Sequence, residues 1–366
     1  MGYEIDFLHA GDESASGQGI ALRFGNLYGG RDEQVVMVVD GGFLETGDDL
    51  VTHVQKYYET DRVDVVVSTH PDNDHIKGLE RVLLGLNVDE LWMHQAWLHS
   101  VGMGRLFESE SQVRANVSEK IAKNLEAQQT LETVASAEGI PVIEPFGPST
   151  AFDEQIWILG PSQTFYEKLL AEEAQETKSK VAARQLSHSI LEALAKAGEK
   201  VASWVDESLD VETLTDAGVT SEMNESSVIF ELRHDGKRIL LTADGGQRAL
   251  NEAVKVIDSY GLADQHYDLV QIPHHGSRRN VGPTVLDQLV GGTGAKESAW
   301  AACSCSATKG DPTHPSKRVT NAFTRRGAKT FVTREHSYRF SHNAPDRPGW
   351  TQQATPEPFH SQVEND

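Results

Sequence analysis

Cysteine is nearly absent: Cys303 and Cys305, one residue apart, are the only two in 366. Such a pair builds no disulfide framework, and a thiol-poor chain of this kind fits a reducing compartment, so the expected location is cytoplasmic. Set in an apolar strand-like run, the two read as packed side chains and not as a metal pair. Long apolar runs are missing too. No window reaches 18 uninterrupted apolar residues, and the opening MGYEIDFLHA has neither the basic segment nor the apolar stretch of a signal peptide, so no membrane contact is expected. Positive charge is scarce: 33 Lys and Arg stand against 55 Asp and Glu, a formal charge of −22. This excludes a protein that coats nucleic acid or anionic lipid without selectivity. No fixed-period repeat, phosphate loop or Ser-His-Asp order is present, and the glycines of GQGIALRFGNLYGG lack the spacing of a dinucleotide fingerprint.

What is present is a globular composition, 38% hydrophobic and 24% charged, with length for a sizeable core. The first hundred residues alternate short Val- and Ile-rich runs with Gly/Asp turns: IDFL (5–8), IALRF (20–24), QVVMVVD (34–40) and VDVVVS (63–68). These predict strands, and IKGLERVLLGL after His75 predicts a helix, together an α/β signature. Strands resume with SSVIFELRH and KRILLTADGG flanking Asp235-Gly236, a hairpin signal. Helices are then expected near 247–260 and 283–290, and strands at 266–273 and 298–306. Helix-like polar stretches at about 105–139 and 164–220 read as insertions in one domain spanning 1–342. The Pro/Gln-rich residues 343–366 read as a flexible tail.

Chemistry concentrates in VDVVVSTHPDNDHIKGL, where an apolar strand delivers His70, Asp72, Asp74 and His75 within six residues. A loop at the carboxyl end of a strand can aim such side chains into one cavity, and imidazole with carboxylate suits a divalent ion. The plainer alternative is a polar turn in which Asp74 caps the following helix. Further ligand types end other predicted strands: Asp244 in LLTADGG, His274 and His275 in VQIPHHGS, and His314 in the turn DPTHPS. One shared edge explains their recurrence. His94 and His99, in LWMHQAWLHS, read as packing or surface residues.

As an ordered set, THPDNDHIKGL (69–79), LLTADGG (240–246), PHHGS (273–277) and His314-Pro315 resemble the metallo-β-lactamase superfamily, and within it the C-terminal hydrolase domain of ComEC-like competence proteins. The resemblance covers most of 3–100 and 222–340, with FLHAGDESASGQGIALRF as a looser first hairpin, and leaves the helical stretch uncovered. It implies an αββα sandwich of the α+β class, the metallo-β-lactamase fold with a helical insertion, and a metal-dependent hydrolase. It places His70 and Asp72 on a first ion, Asp72 standing where most members have His. It places Asp74, His75 and His275 on a second ion and Asp244 between the two, with His274 behind the metals or facing substrate. Where many members carry another His, this chain has MNESSV, so Asn224 is the nearest first-site donor. Oxygen donors at these positions make Mn²⁺ a competitor of Zn²⁺ as the two divalent ions.

Two such ions acidify a bridging water and clamp developing negative charge, so hydrolysis is the expected reaction, with Asp74, His274 and His275 as catalytic candidates. For substrate, residues 271–340 hold eleven Lys/Arg and four acids, a net +7 inside an acidic chain. Ser277, Arg278, Arg279, His314 and Lys317 flank the ligand turns and are the substrate-binding candidates, because guanidinium and ammonium groups suit phosphate oxygens. The leading expectation is a phosphodiesterase or nuclease acting on DNA or RNA. The alternatives are a small-molecule hydrolase for a lactone, thioester or β-lactam, and a subunit that docks a protein partner through the helical insertion.

Overall fold

A computed structural model describes residues 1–11, 15–99, 119–173, 204–262, 266–294, 299–303, 314–334, 336–350 and 354–365. The strands are β1 (Gly2–Phe7), β2 (Gly19–Gly25), β3 (Gln34–Gly41), β4 (Arg62–Ser68), β5 (Asn87–Met93), β6 (Val142–Ile143), β7 (Ser149–Ala151), β8 (Ile156–Gly160), β9 (Trp204–Asp206), β10 (Ile229–His234), β11 (Lys237–Leu241), β12 (Leu269–Gln271), β13 (Ala299–Cys303), β14 (Ala328–Val332), β15 (Tyr338–His342) and β16 (Gln362–Glu364). The helices are α1 (Leu44–Tyr57), α2 (Asn73–Ile76), α3 (Leu79–Gly85), α4 (Glu119–Glu138), α5 (Glu222–Glu225), α6 (Gln247–Ser259), α7 (Pro283–Leu289) and α8 (Lys317–Arg325).

Two seven-stranded sheets result, ordered β15-β1-β2-β3-β4-β5-β6 and β14-β13-β12-β11-β10-β8-β7. Each turns from antiparallel hairpins to parallel strands: β3, β4, β5 and β6 run parallel in the first, and β11, β12, β13 and β14 in the second. Alternation along β3 explains the layering. Met37 and Val39 enter a core shared with Phe230, Leu232 and Ile239 of the other sheet, whereas Val36 and Val38 pack outward against Leu50 and Val54 of α1 and Leu79 and Val82 of α3. Buried on both faces, such a strand reads as a continuous apolar run. The outer face of the second sheet is covered likewise by α6, α7 and α8. The architecture is therefore the four-layer αββα sandwich that the resemblance implied. Among the described residues no helix is long and apolar enough to cross a membrane.

The hairpin at Asp235-Gly236 forms with both residues at positive φ (53° and 73°), the geometry of a tight primed turn. Of the two expected helical insertions, α4 is helical and buries Leu131 and Ala135 on the outer face of the first sheet. Residues 163–173 are helical as well, but 204–220 are not: Trp204–Asp206 is a strand. Residues 105–118 and 174–203 lie outside the described residues.

Most of the stretch expected to be a flexible tail is described and lies against the fold. Residues 343–350 and 354–365 dock on the sandwich, with β16 paired to β9 and Val363 fully buried. Arg347 forms a two-pronged pair with buried Asp6 (2.7 and 3.0 Å), reaches Glu4 (3.2 Å), and lies over the rings of Tyr57 and Trp350. Composition concealed this because a few buried contacts, not average polarity, fix the segment.

Three glycines bring backbone against backbone beneath the metal motif. A Cβ on Gly78 would stand 1.9 Å from the Gly41 carbonyl oxygen, and one on Gly47 would stand 2.2 Å from that of Gly78. This close approach sets the α2–α3 junction against the end of β3, immediately after Asp40. Gly78→Ala must push these elements apart. It is expected to cost about 1–3 kcal/mol, the usual range for overpacking, and to weaken metal binding with it; denaturant titration and metal titration of the same preparation check both.

Candidate metal centre

The carboxyl ends of β3 and β4 from one sheet and of β11 and β12 from the other meet at one edge, as expected for ligand sites in parallel sheets. Asp40, Ala243, His274 and His275 there all hold positive φ (57°, 45°, 48° and 51°), an uncommon conformation for residues other than glycine. Such strain persists where surrounding structure enforces it, often at functional sites.

Asp40, not singled out from the sequence, is the hub of the first sheet's contribution. It is fully buried and accepts from His75 Nδ1 (2.8 Å), the Thr69 backbone N–H (2.9 Å), the Thr69 hydroxyl (2.8 Å) and Gln18 Nε2 (2.9 Å). Since the Thr69 hydroxyl donates to Asp40, its oxygen is left to accept from His70 Nδ1 at 3.1 Å. Both imidazoles are thereby anchored through Nδ1, leaving each Nε2 for the cluster. The signal in the sequence was a carboxylate ending a buried run before Gly41-Gly42, which a search for dense ligand motifs passes over.

Asp244 stands between two groups of imidazoles. Its Oδ1 lies 3.2 Å from His75 Nε2, while its Oδ2 lies 3.7 Å from His70 Nε2 and 3.5 Å from His274 Nε2. On the His75 side, Asp74 Oδ2 lies 3.2 Å from His275 Nε2 and 3.9 Å from His75 Nε2. Ligand atoms of Asp74, His75 and His275, and likewise of Asp40, His70 and His75, fall within 4.8 Å of one another. His70 Nε2, His75 Nε2 and Asp244 Oδ1 are buried without a hydrogen-bond partner. Three converging, unsatisfied polar atoms are costly unless something binds them, so the residues present fit divalent ions.

The charges of the cluster stabilise one another. Burial disfavours the charged form of His75, but Asp244 and Asp40 outweigh it and hold its pKa well above the usual value. Burial likewise raises the pKa of Asp244 and Asp74, yet the neighbouring histidines, His75 foremost for Asp244 and His275 for Asp74, carry both well below the carboxylate range. His70 moves the other way: burial and the charge of His75 lower it. Ion binding must displace protons from this set.

The remaining predicted residues are placed as follows. Asp72 is buried at the N-cap of α2 and its carboxylate makes no cap bond to the helix, while its charge acts on His70. Asp74 lies inside α2, so the cap reading does not apply to it. Asn224 sits in α5, where its amide contacts Thr220, Ser221 and His274 Nδ1 (3.0 Å); His274 Nδ1 also lies 2.9 Å from Asn280 Oδ1. Asn224 thus adjoins the face of the His274 ring remote from Asp244. His314 lies with its ring 6.0 Å from that of His274. Ser277 is buried, Arg278 half-buried and Arg279 exposed. Lys317 holds its Nζ 4.3 Å over the Trp204 ring.

Part of the segment charge of +7 is offset by acids from elsewhere in the chain. Arg325 pairs with Glu207, Arg326 with Glu212 and Asp287, Arg334 with Glu357, and Arg339 with Glu4. Arg326 is fully buried. The cations next to the ligand turns are Arg278, Arg279 and Lys317; Lys309 and Cys305 lie outside the described residues. His94 is buried and stacks on Phe146 at 4.4 Å, burial lowering its pKa to about 3, and His99 lies between Glu144 and Glu167.

No family model matches the chain, and no curated protein matches it. Solved structures do match. One is described as a candidate metallo-β-lactamase from Thermotoga maritima, at 12% identity and TM-score 0.36 over 74% of this chain and 95% of that one. Another is a hydrolase of the β-lactamase superfamily, AbOPH, at 11% identity and TM-score 0.32 over 68% of each chain. A third is a variant of the β-hydroxylase CmlA, at 11% identity and TM-score 0.41; it is matched over 92% of this chain, which spans about half (53%) of the hydroxylase.

Proposed function

We propose that the protein is a metal-dependent hydrolase that holds two divalent ions and cleaves a phosphodiester of DNA or RNA. The observation that carries the reading is Asp244, with one oxygen toward His75 and the other toward His70 and His274. That is the disposition of a carboxylate shared by two sites. One ion would be held by Asp74, His75, His275 and Asp244, the other by His70, Asp72, His274 and Asp244, a mixed donor set suited to Zn²⁺ or Mn²⁺. Bound there, the ions would supply an acidified water and electrophilic stabilisation of developing charge.

The protein's own groups do the rest. Asp74, with 31% of its side chain exposed and its pKa held low chiefly by His275 against the effect of burial, stays an acceptor able to orient the attacking water. His274, 30% exposed, is within reach of substrate, with His314 beside it. Arg278, Arg279 and Lys317 adjoin these turns and suit the oxygens of a phosphodiester. A small-molecule lactone, thioester or β-lactam is the second reading, favoured by the pairing of Arg325, Arg326, Arg334 and Arg339 with acids of the same chain.

Metal-stripped protein titrated with Mn²⁺, Zn²⁺ or Mg²⁺ is expected to take up two ions and to cleave single-stranded DNA, duplex DNA or RNA, with chelator abolishing the activity. A panel that adds a lactone, a thioester and a β-lactam separates the readings. Absence of bound metal removes both. Turnover confined to the small molecules, with no change in Arg278→Ala/Arg279→Ala, removes the phosphodiester.

A further inference from the structure

We infer that Gln18 and Gln271 form a hydrogen-bond relay that ties the two halves of the metal centre together, linking the turn before Asp244 to Asp40, the carboxylate that holds His75. The inference rests on the metal-binding part of the proposed function and does not depend on the substrate. His70, Asp72, Asp74 and His75 come from the first sheet, and Asp244, His274 and His275 from the second, so each proposed site draws donors from both sheets and its dimensions follow their spacing.

Gln271 and Gln18 are each 1% exposed. At the second-sheet end, Gln271 Oε1 accepts from the backbone N–H groups of Thr242 (2.9 Å) and Ala243 (3.0 Å). Those residues form the turn that presents Asp244, and Ala243 is held there at φ 45°. Because backbone N–H groups only donate, the Gln271 oxygen is committed as acceptor and its Nε2 must donate onward. It donates to Gln18 Oε1. Gln18 Nε2 in turn donates to Asp40 Oδ2 at 2.9 Å, the oxygen that also receives His75 Nδ1 at 2.8 Å. An ionised carboxylate only accepts, so the hydrogen lies on His75 Nδ1 and Nε2 is left for an ion. Polarity thus runs in one direction from the Asp244 turn to Asp40, where it meets the opposing donation from His75 Nδ1, and it links glutamines 253 residues apart in sequence.

Each glutamine is a positioning residue and contacts no ion. In Gln271→Glu the side chain can still accept from both backbone groups but has no N–H for Gln18, whose amide must then turn its oxygen toward Asp40. In Gln18→Leu the relay is cut in the middle. Gln18→Asn is a milder change that keeps the amide and shortens its reach. Metal content and affinity of purified protein, read by calorimetry with Mn²⁺ and by competition with a chelator for Zn²⁺, are the measurement, together with thermal melting of the metal-free form.

Each variant is expected to bind at least one ion about tenfold or more weakly, as supporting partners of metal ligands do, while metal-free melting stays cooperative. Loss in the double variant should match that of the worse single variant, because either break interrupts the same chain. Leu232→Ala, in the core between the sheets, is the control for a general loss of packing. Unchanged affinity in folded variants, additive losses, or an equal loss in Leu232→Ala overturns the relay. Wild-type protein that binds no ion overturns the metal reading instead.

Discussion

Asp244→Asn is expected to empty both proposed metal sites at once. The two oxygens of Asp244 face different imidazole groups, one at 3.2 Å and the other at 3.5 and 3.7 Å. A single substitution therefore withdraws a donor from each site and removes the negative charge between them. Residues that only support a ligand change affinity about 10–100-fold, so the loss here should exceed about 100-fold for the pair, with hydrolysis falling in step. Elemental analysis after dialysis, beside turnover of whichever substrate the panel identifies, measures it. Asn224→Ala, which removes a contact to His274 Nδ1, should leave the His75 site filled. If Asp244→Asn keeps both ions, the shared-carboxylate arrangement is wrong.

Arg347→Met is expected to destabilise the protein by about 3–5 kcal/mol, the range for breaking a buried ion pair by removing one partner. Arg347 and Asp6 are 5% and 0% exposed at their side chains, and Glu4 beside them is 1% exposed, so the substitution leaves carboxylates buried against Tyr58 and His53. Acid stability should shift as well. Burial pushes the Asp6 carboxyl up, but His53 and then Arg347 outweigh it and bring its pKa down to about 2. A depressed folded-state value contributes stability that is fully present above the unfolded value of about 3.9 and is lost as pH falls through the folded one. Without Arg347 the folded pKa of Asp6 rises, so the acid limb of the stability curve should move to higher pH. Denaturant titrations of both proteins at several pH values test this. Equal stability and an unmoved acid limb would reject the view that Arg347 anchors the C-terminal segment.

The candidate ligands that the sequence made legible are those packed into short motifs. His70, Asp72, Asp74 and His75 follow one strand, and Asp244 and the His274-His275 pair end two others, so proximity in sequence stood in for proximity in space. Asp40 escaped notice because it is a lone acid 35 residues upstream of its partner His75. Gln18 and Gln271 escaped it because an amide relay leaves no spacing pattern. Charge by segment was an incomplete guide for a related reason. Arg326 meets Glu212 across 114 residues, and Arg339 meets Glu4 across 335. A net sum over a stretch cannot register acids supplied from so far away. The strands were legible because β-branched runs covered on both faces have no other good conformation. Helix α1 was not, since its first turns carry Thr46, Gly47, Asp48 and Asp49, and Gly47 is set by contact with Gly78 rather than by helix preference.

The pairing of β1 with β15 has a consequence for biosynthesis. Tyr3 to Phe7 find their partners at Tyr338 to His342, so β1 waits for a strand far later in the chain to leave the ribosome. Until then β1 offers an unpaired backbone edge, the kind that recruits neighbouring chains. Chains that terminate before β15 should therefore be prone to association.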